Sequence, residues 1–127
     1  MELSIQKIAV ISFFVIGMSH IVQARAWAEF FIMLRRQGAA GVFIVALLHL
    51  PMGALIVSFH NVWAGIPMLL TIIGWGYVLK SFVYFTFPKH VLRMSSRVSI
   101  ERSWEFVVAG VVSVMFSGLL MFSLLDM

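Results

Sequence analysis

Apolar runs of about 20 residues, separated by short segments that hold most of the charge, set the plan of this chain. The first run covers about residues 4–24, interrupted by Gln6 and Lys7 near one end and His20 near the other. The second covers 39–59 without a charge, the third 62–87 with Lys80 as its one charge, and the fourth 106–125 with no ionisable residue. Each meets the roughly 20 residues that a helix needs to cross a bilayer core. Barrel strands would be about 10 residues long and alternate in polarity, and nothing here alternates. The pattern predicts an all-α membrane protein with four transmembrane helices, forming one domain over 1–127.

The segments between the runs carry their own signals. Trp27, Phe30, Phe31 and Leu34 recur at helical spacing while Glu29, Arg35 and Arg36 fall elsewhere, which predicts a short amphipathic helix at the membrane surface over 26–37. Gly38 ends it, because helix C-termini favour a residue free to take positive φ. The segment from His90 to Glu101 is more polar and Ser-rich, a weaker helix. At an offset of 64 residues, Trp27, Phe30 and Leu34 match Val91, Met94 and Val98, while Gly53 meets Gly118 at 65, which asks for a one-residue insertion. These matches are compatible with a parallel repeat of two spans each. Ala24-Arg25-Ala26 has the form of a cleavage site, but the segment before it opens with Glu2 ahead of Lys7, so no cleavage is expected.

Composition agrees with the pattern: 62% of residues are hydrophobic, 11% are charged, and the mean hydropathy is +1.06. Soluble domains run near one quarter charged. The absence of cysteine excludes thiolate chemistry, Cys-ligated metals and disulfides. The net charge of +4 does not point to nucleic acid, because the basic residues cluster in the linkers. Arg25, Arg35 and Arg36 lie in the first, and Lys89, Arg93, Arg97 and Arg102 in the last. The turn from His60 to Gly65 has no Lys or Arg, and the N-terminal tail has Lys7 alone. The positive-inside rule then places both termini outside a bacterial cytoplasmic membrane. Trp27 and Trp104 fall near the inner boundary and Trp63 near the outer.

Ionisable side chains within spans are candidates for function, since they are costly there. At 1.5 Å per residue, the depths from the basic side are about 7 Å for His20, 6 Å for Tyr84, 11 Å for Lys80, 15 Å for His49 and 3 Å for Glu105. These five residues are the candidate polar core. Lys80 is expected either to snorkel or to pair with Glu105 on the fourth span, the alternative being a binding or proton-carrying residue that faces a cavity. His49 lies two residues before Pro51, whose ring denies the Leu47 carbonyl its helical partner. Its imidazole either bonds a neighbouring hydroxyl, Ser117 or Thr71, or lines a transport path. Haem between His20 and His49 is set aside because their depths differ by about 8 Å. His60 and His90 fall at opposite boundaries. No metal motif, catalytic triad or phosphate loop occurs, so no catalytic residue, metal or cofactor is assigned.

The stretch His60 to Lys80, HNVWAGIPMLLTIIGWGYVLK, with the Phe87-Pro88-Lys89 exit and the Gln23-Ala24-Arg25-Ala26-Trp27 exit from the first span, resembles a group of small bacterial four-span membrane proteins of unassigned function. The resemblance covers most of the chain and implies the topology. Small multidrug exporters match in size, but they depend on a carboxylate inside the first span, and the one acid ahead of the first linker is Glu2. The expected function is that of a non-enzymatic inner-membrane accessory or scaffold protein. The alternative is a small oligomeric channel or transporter for an ion or polar solute. The expected partners are the lipid bilayer, further copies of the chain in a homo-oligomer, and another membrane protein, with no nucleic acid.

Overall fold

A computed structural model describes residues 1–127. It consists of six helices and no strand: α1 (Glu2–Val22), α2 (Ala24–Arg36), α3 (Ala39–Phe59), α4 (Pro67–Thr86), α5 (Pro88–Ser95) and α6 (Trp104–Leu125). The helices α1, α3, α4 and α6 are long and apolar enough to cross a membrane. The chain is therefore a multi-pass membrane protein by the length and composition of its helices.

Where the boundaries differ from the predicted ones, local chemistry accounts for it. Helix α1 stops at Val22 because Gln23 leaves the helical conformation, at φ −117° and ψ 40°, and α2 starts immediately behind it. The chain turns there without losing hydrogen bonds, since Gln23 N–H donates to Ser19 O at 2.7 Å and Trp27 N–H to Gln23 O at 3.0 Å. Gly38, at φ 67°, separates α2 from α3. The third span starts at Pro67 and not at Val62. Gly65 turns the chain at φ 66°, and Pro67 opens α4 where a missing N–H costs nothing. The last linker holds only the short helix α5 and is tied to α2 by Arg35, whose Nη1 donates to Ser95 O at 2.8 Å and Val98 O at 2.9 Å.

The spans pack as two tight pairs, α1 with α6 and α3 with α4. Hydrophobic burial does not drive helices together inside lipid, so close backbone approach and interhelical hydrogen bonds carry more of the association. In the first pair, a Cβ added at Gly17 would lie 2.9 Å from Gly110 O, and Ser117 Oγ donates to Val10 O at 2.7 Å. In the second, a Cβ at Gly53 would lie 3.0 Å from Gly74 O, and Ser81 Oγ lies 3.4 Å from Ala46 O.

These contacts repeat. At an offset of 64 residues, Gly17 corresponds to Ser81, Ala46 to Gly110, Val10 to Gly74 and Gly53 to Ser117. The contact of Gly17 with Gly110 thus becomes that of Ser81 with Ala46, and the contact of Gly53 with Gly74 becomes that of Ser117 with Val10. The order of long, short and long helix also recurs. The register is 64 throughout, so the inserted residue inferred from Gly53 and Gly118 is not needed. Gly118 has open space where its side chain would be. The two pairs meet in one hydrophobic core of Ile5, Ala9, Val10, Ile56, Leu70, Phe116 and Leu120. All of these lie in the half of the bundle away from the basic linkers, and α2 crosses the other end against α3 and α6.

Candidate functional site

Alongside the core and as far as α2 the two pairs stand apart and border a slot of about 460 Å³, lined in part by the core residues Ile5, Ala9 and Ile56. Along α1 its lining runs from Ile5 to His20, about 22 Å at the helical rise. Trp27, Phe30 and Phe31 of α2 close the basic end. The amphipathic spacing explains this placement: it turns three aromatic rings and Leu34 to one side, and Leu34 and Ala28 are buried there. Trp27 is held by its indole N–H, which donates to Ser19 Oγ at 2.9 Å. Most of the lining is aliphatic or aromatic. Ile8, Leu48 and Leu55 on the rim are each more than half exposed, so the slot opens sideways, toward what would be hydrocarbon in a membrane.

Four polar side chains interrupt the apolar wall at one level. Ser12, His49, Tyr77 and Ser113 come from four different spans and lie 9 or 10 residues from the basic end of each. That is about 14 Å deep at the helical rise. His49 and Ser113 correspond at the offset of 64, as do Phe13 and Tyr77, and all four line the slot. The slot is lined mainly by α1, α2 and α3, and Tyr77 and Ser113 reach it from the second half of the repeat.

The candidate polar residues divide between this slot and its surroundings. His49 Nδ1 lies 2.8 Å from Val45 O. A carbonyl can only accept, so Nδ1 carries the hydrogen and Nε2 offers a lone pair. Lys80 Nζ lies 3.4 Å from that Nε2 and 5.3 Å from the Tyr84 ring centroid. His49 thus bonds neither Ser117 nor Thr71, because Ser117 is engaged with Val10 O and Thr71 with His60. Its carbonyl partner is also not the one that Pro51 leaves without a helical donor. His20 lines the basic end of the slot, donates from Nδ1 to Ile16 O at 2.8 Å, and stacks on Trp27 with ring centroids 4.1 Å apart. Tyr84 lies outside the slot, beside a smaller cavity of about 50 Å³ near α5.

The pairing of Lys80 with Glu105 does not occur. Glu105 reaches Arg102 at 3.9 Å and Arg97 at 4.0 Å, at the start of α6. The expectation assumed that the third and fourth spans pack together, whereas α4 packs on α3 and α6 on α1. Glu105, in the first turn of α6, sits with the linker arginines and not with Lys80.

A second polar cluster escaped the sequence reading. His60, placed at a boundary turn, is completely buried at the end of the bundle away from the basic linkers. Gln6 Nε2 lies 3.0 Å from His60 Nε2, and His60 Nδ1 lies 3.1 Å from Thr71 Oγ1. With the Gln6 amide donating, the ring hydrogen is on Nδ1 and points at Thr71. Thr71 Oγ1 also accepts from Val62 N–H at 3.1 Å and donates to Val62 O at 2.8 Å. Burial lowers the proton affinity of His60 below that of an ordinary histidine, and the charge of Glu2 opposes this. The network ties the 60–66 segment to α1 and α4. Gln6 itself was visible as a polar interruption of the first span, but nothing in the sequence marked its partner.

No three His, Asp or Glu side chains gather in one place. The arrangement is suited to receiving an elongated apolar molecule from the side and offering it a few hydrogen bonds halfway down. Comparison with protein families, with curated proteins and with solved structures finds no match to this chain.

Proposed function

We propose that this chain is a non-enzymatic accessory protein of a bacterial cytoplasmic membrane, with both termini outside, and that it works by holding a lipid-class molecule in the slot between its two helix pairs. The observation that carries the reading is the slot itself, which is apolar, laterally open and about 22 Å long against a hydrocarbon core of roughly 30 Å. Its volume of about 460 Å³ falls within the range of small-molecule sites.

Native mass spectrometry of the protein released from mild detergent tests this. The expected result is a retained lipid that is lost in Ser113→Phe, which puts a ring into the slot. It should persist in Val112→Phe, where an exposed neighbouring position receives the same ring. Equal retention in the two variants, or no retained lipid in the native chain, would refute the reading.

The contact of Lys80 with His49 supports a second reading, a small oligomeric channel or transporter for an ion or polar solute. That reading requires flux of protons or small cations into liposomes that His49→Ala abolishes without unfolding the protein. No flux above that of empty liposomes would remove it.

A further inference from the structure

We infer that the slot selects a neutral, carbonyl-bearing lipid dissolved in the bilayer, with its oxygen at the level of Ser12, Tyr77 and Ser113. This rests on the reading of the slot as a lipid site and goes beyond it to the chemistry of the occupant.

The polar level lies about 14 Å from the basic end of the spans. A phospholipid keeps its headgroup at the interface, and at that end Trp27 and the two phenylalanines of α2 close the slot. A phospholipid could place acyl chain against these hydroxyls but not its polar group. The polar group must therefore belong to a molecule that resides within the hydrocarbon.

Lys80 is the one charged side chain near this depth, and it does not line the slot. Its ammonium faces His49 Nε2 and the Tyr84 ring, while His49 lies at the slot wall. Glu105, the acid first expected beside Lys80, is engaged with arginines elsewhere. No ionised group faces the occupant, and an ionised headgroup at this depth would lack a partner. The occupant is neutral.

Hydrogen bonding identifies the group. Both His49 nitrogens are committed, to Val45 O and to Lys80. The hydroxyls of Ser12, Tyr77 and Ser113 take no part in the side-chain hydrogen bonds that hold the fold, which engage Ser19, Thr71, Ser81, Ser95, Ser96 and Ser117. Three hydroxyl-bearing residues at one level of the spans thus line the slot with no partner within the fold. A carbonyl oxygen has two lone pairs and can accept from two of them without needing an acceptor in return.

The test uses two probes with the same tail on a six-carbon ring, one with carbonyls and one without: a decyl-substituted benzoquinone and decylbenzene. Each is measured for its excess partition into nanodiscs that carry the protein over empty ones. The benzoquinone should bind at least tenfold tighter than decylbenzene. Tyr77→Phe and Ser113→Ala should each weaken the benzoquinone by about 3- to 10-fold, the worth of one hydrogen bond, and leave decylbenzene unchanged. Each variant removes one oxygen, and an unchanged melting temperature verifies its fold. Equal binding of the two probes, or benzoquinone binding insensitive to both substitutions, would overturn the inference while leaving the slot a lipid site. Binding of neither probe above empty discs would overturn the inference and count against the lipid-site reading as well.

Discussion

Replacing Thr71 with valine keeps the shape of the side chain and removes one hydroxyl, yet the structure assigns this change a large cost. The hydroxyl accepts from His60 Nδ1 and from Val62 N–H, each at 3.1 Å, and donates to Val62 O at 2.8 Å. Thr71→Val therefore strands two donors and an acceptor together. The His60 N–H is completely buried and bears the full penalty of an unpaired group, about 2 kcal/mol. Val62 is partly exposed, so solvent recovers part of its loss, and its two groups add about 0.5 kcal/mol each. The sum is about 3 kcal/mol, more than a hundredfold in the ratio of folded to unfolded protein. Ser117→Ala is the internal comparison, because it removes a single bond to Val10 O and should cost about 1 kcal/mol. Reversible unfolding in mixed micelles, followed by helical circular dichroism, measures both. Thr71→Ser should stay within about 1 kcal/mol of the native chain, since the oxygen is kept. If Thr71→Val is no more damaging than Ser117→Ala, the network does not hold the 60–66 segment and the reasoning fails.

Three further outcomes follow from the same structure. Because burial lowers the proton affinity of His60 in the folded state, the unfolded chain binds the proton more readily, so this residue's contribution is complete above the ordinary value of 6.5 and is lost as pH falls below it. Unfolding from pH 7.5 to about pH 5 should show that decline, and it should be flatter in His60→Gln; equal slopes would refute the assignment. Gly110→Ala would place a Cβ 2.5 Å from Gly17 O and should cost about 2 kcal/mol, whereas Gly118→Ala meets nothing within 4 Å and should be neutral; unfolding free energies that fail to separate the two would contradict the packing of α1 on α6. With no native cysteine to interfere, Asn61→Cys should label from outside intact cells and Arg97→Cys only after permeabilisation, and the reverse pattern would overturn the orientation.

The four spans were legible because hydrocarbon imposes one length and one composition on whatever crosses it. Helix α2 was legible for a related reason, since Trp27, Phe30, Phe31 and Leu34 recur with the helical period. The repeat was visible in the first linker but misregistered at Gly118, because in an apolar span a glycine at the contact and one on the open face read alike. What could not be read was which spans are neighbours. Lys80 and Glu105 have opposite charge and belong to consecutive spans, but helices in lipid pair through small residues and hydroxyls whose partners the order of the chain does not specify. His60 illustrates the same gap, for it sits in a turn beside Asn61 and Gly65 and only the fold buries it under Gln6 and Thr71. The slot arises where two helix pairs fail to touch, and no residue marks that in advance.

Occupation of the slot between the two helix pairs by a lipid-class molecule can be observed in place. Photocrosslinking tests it most directly, with the protein in nanodiscs that contain a membrane-dissolved lipid bearing a diazirine along its chain, followed by mass-spectrometric mapping of the adducts. Adducts should concentrate on slot residues such as Ala9, Met52 and Ser113 and be lost in Ser113→Phe. Adducts spread over outward-facing residues such as Ile72, Leu79 and Phe122, with the slot residues unlabelled, would contradict it.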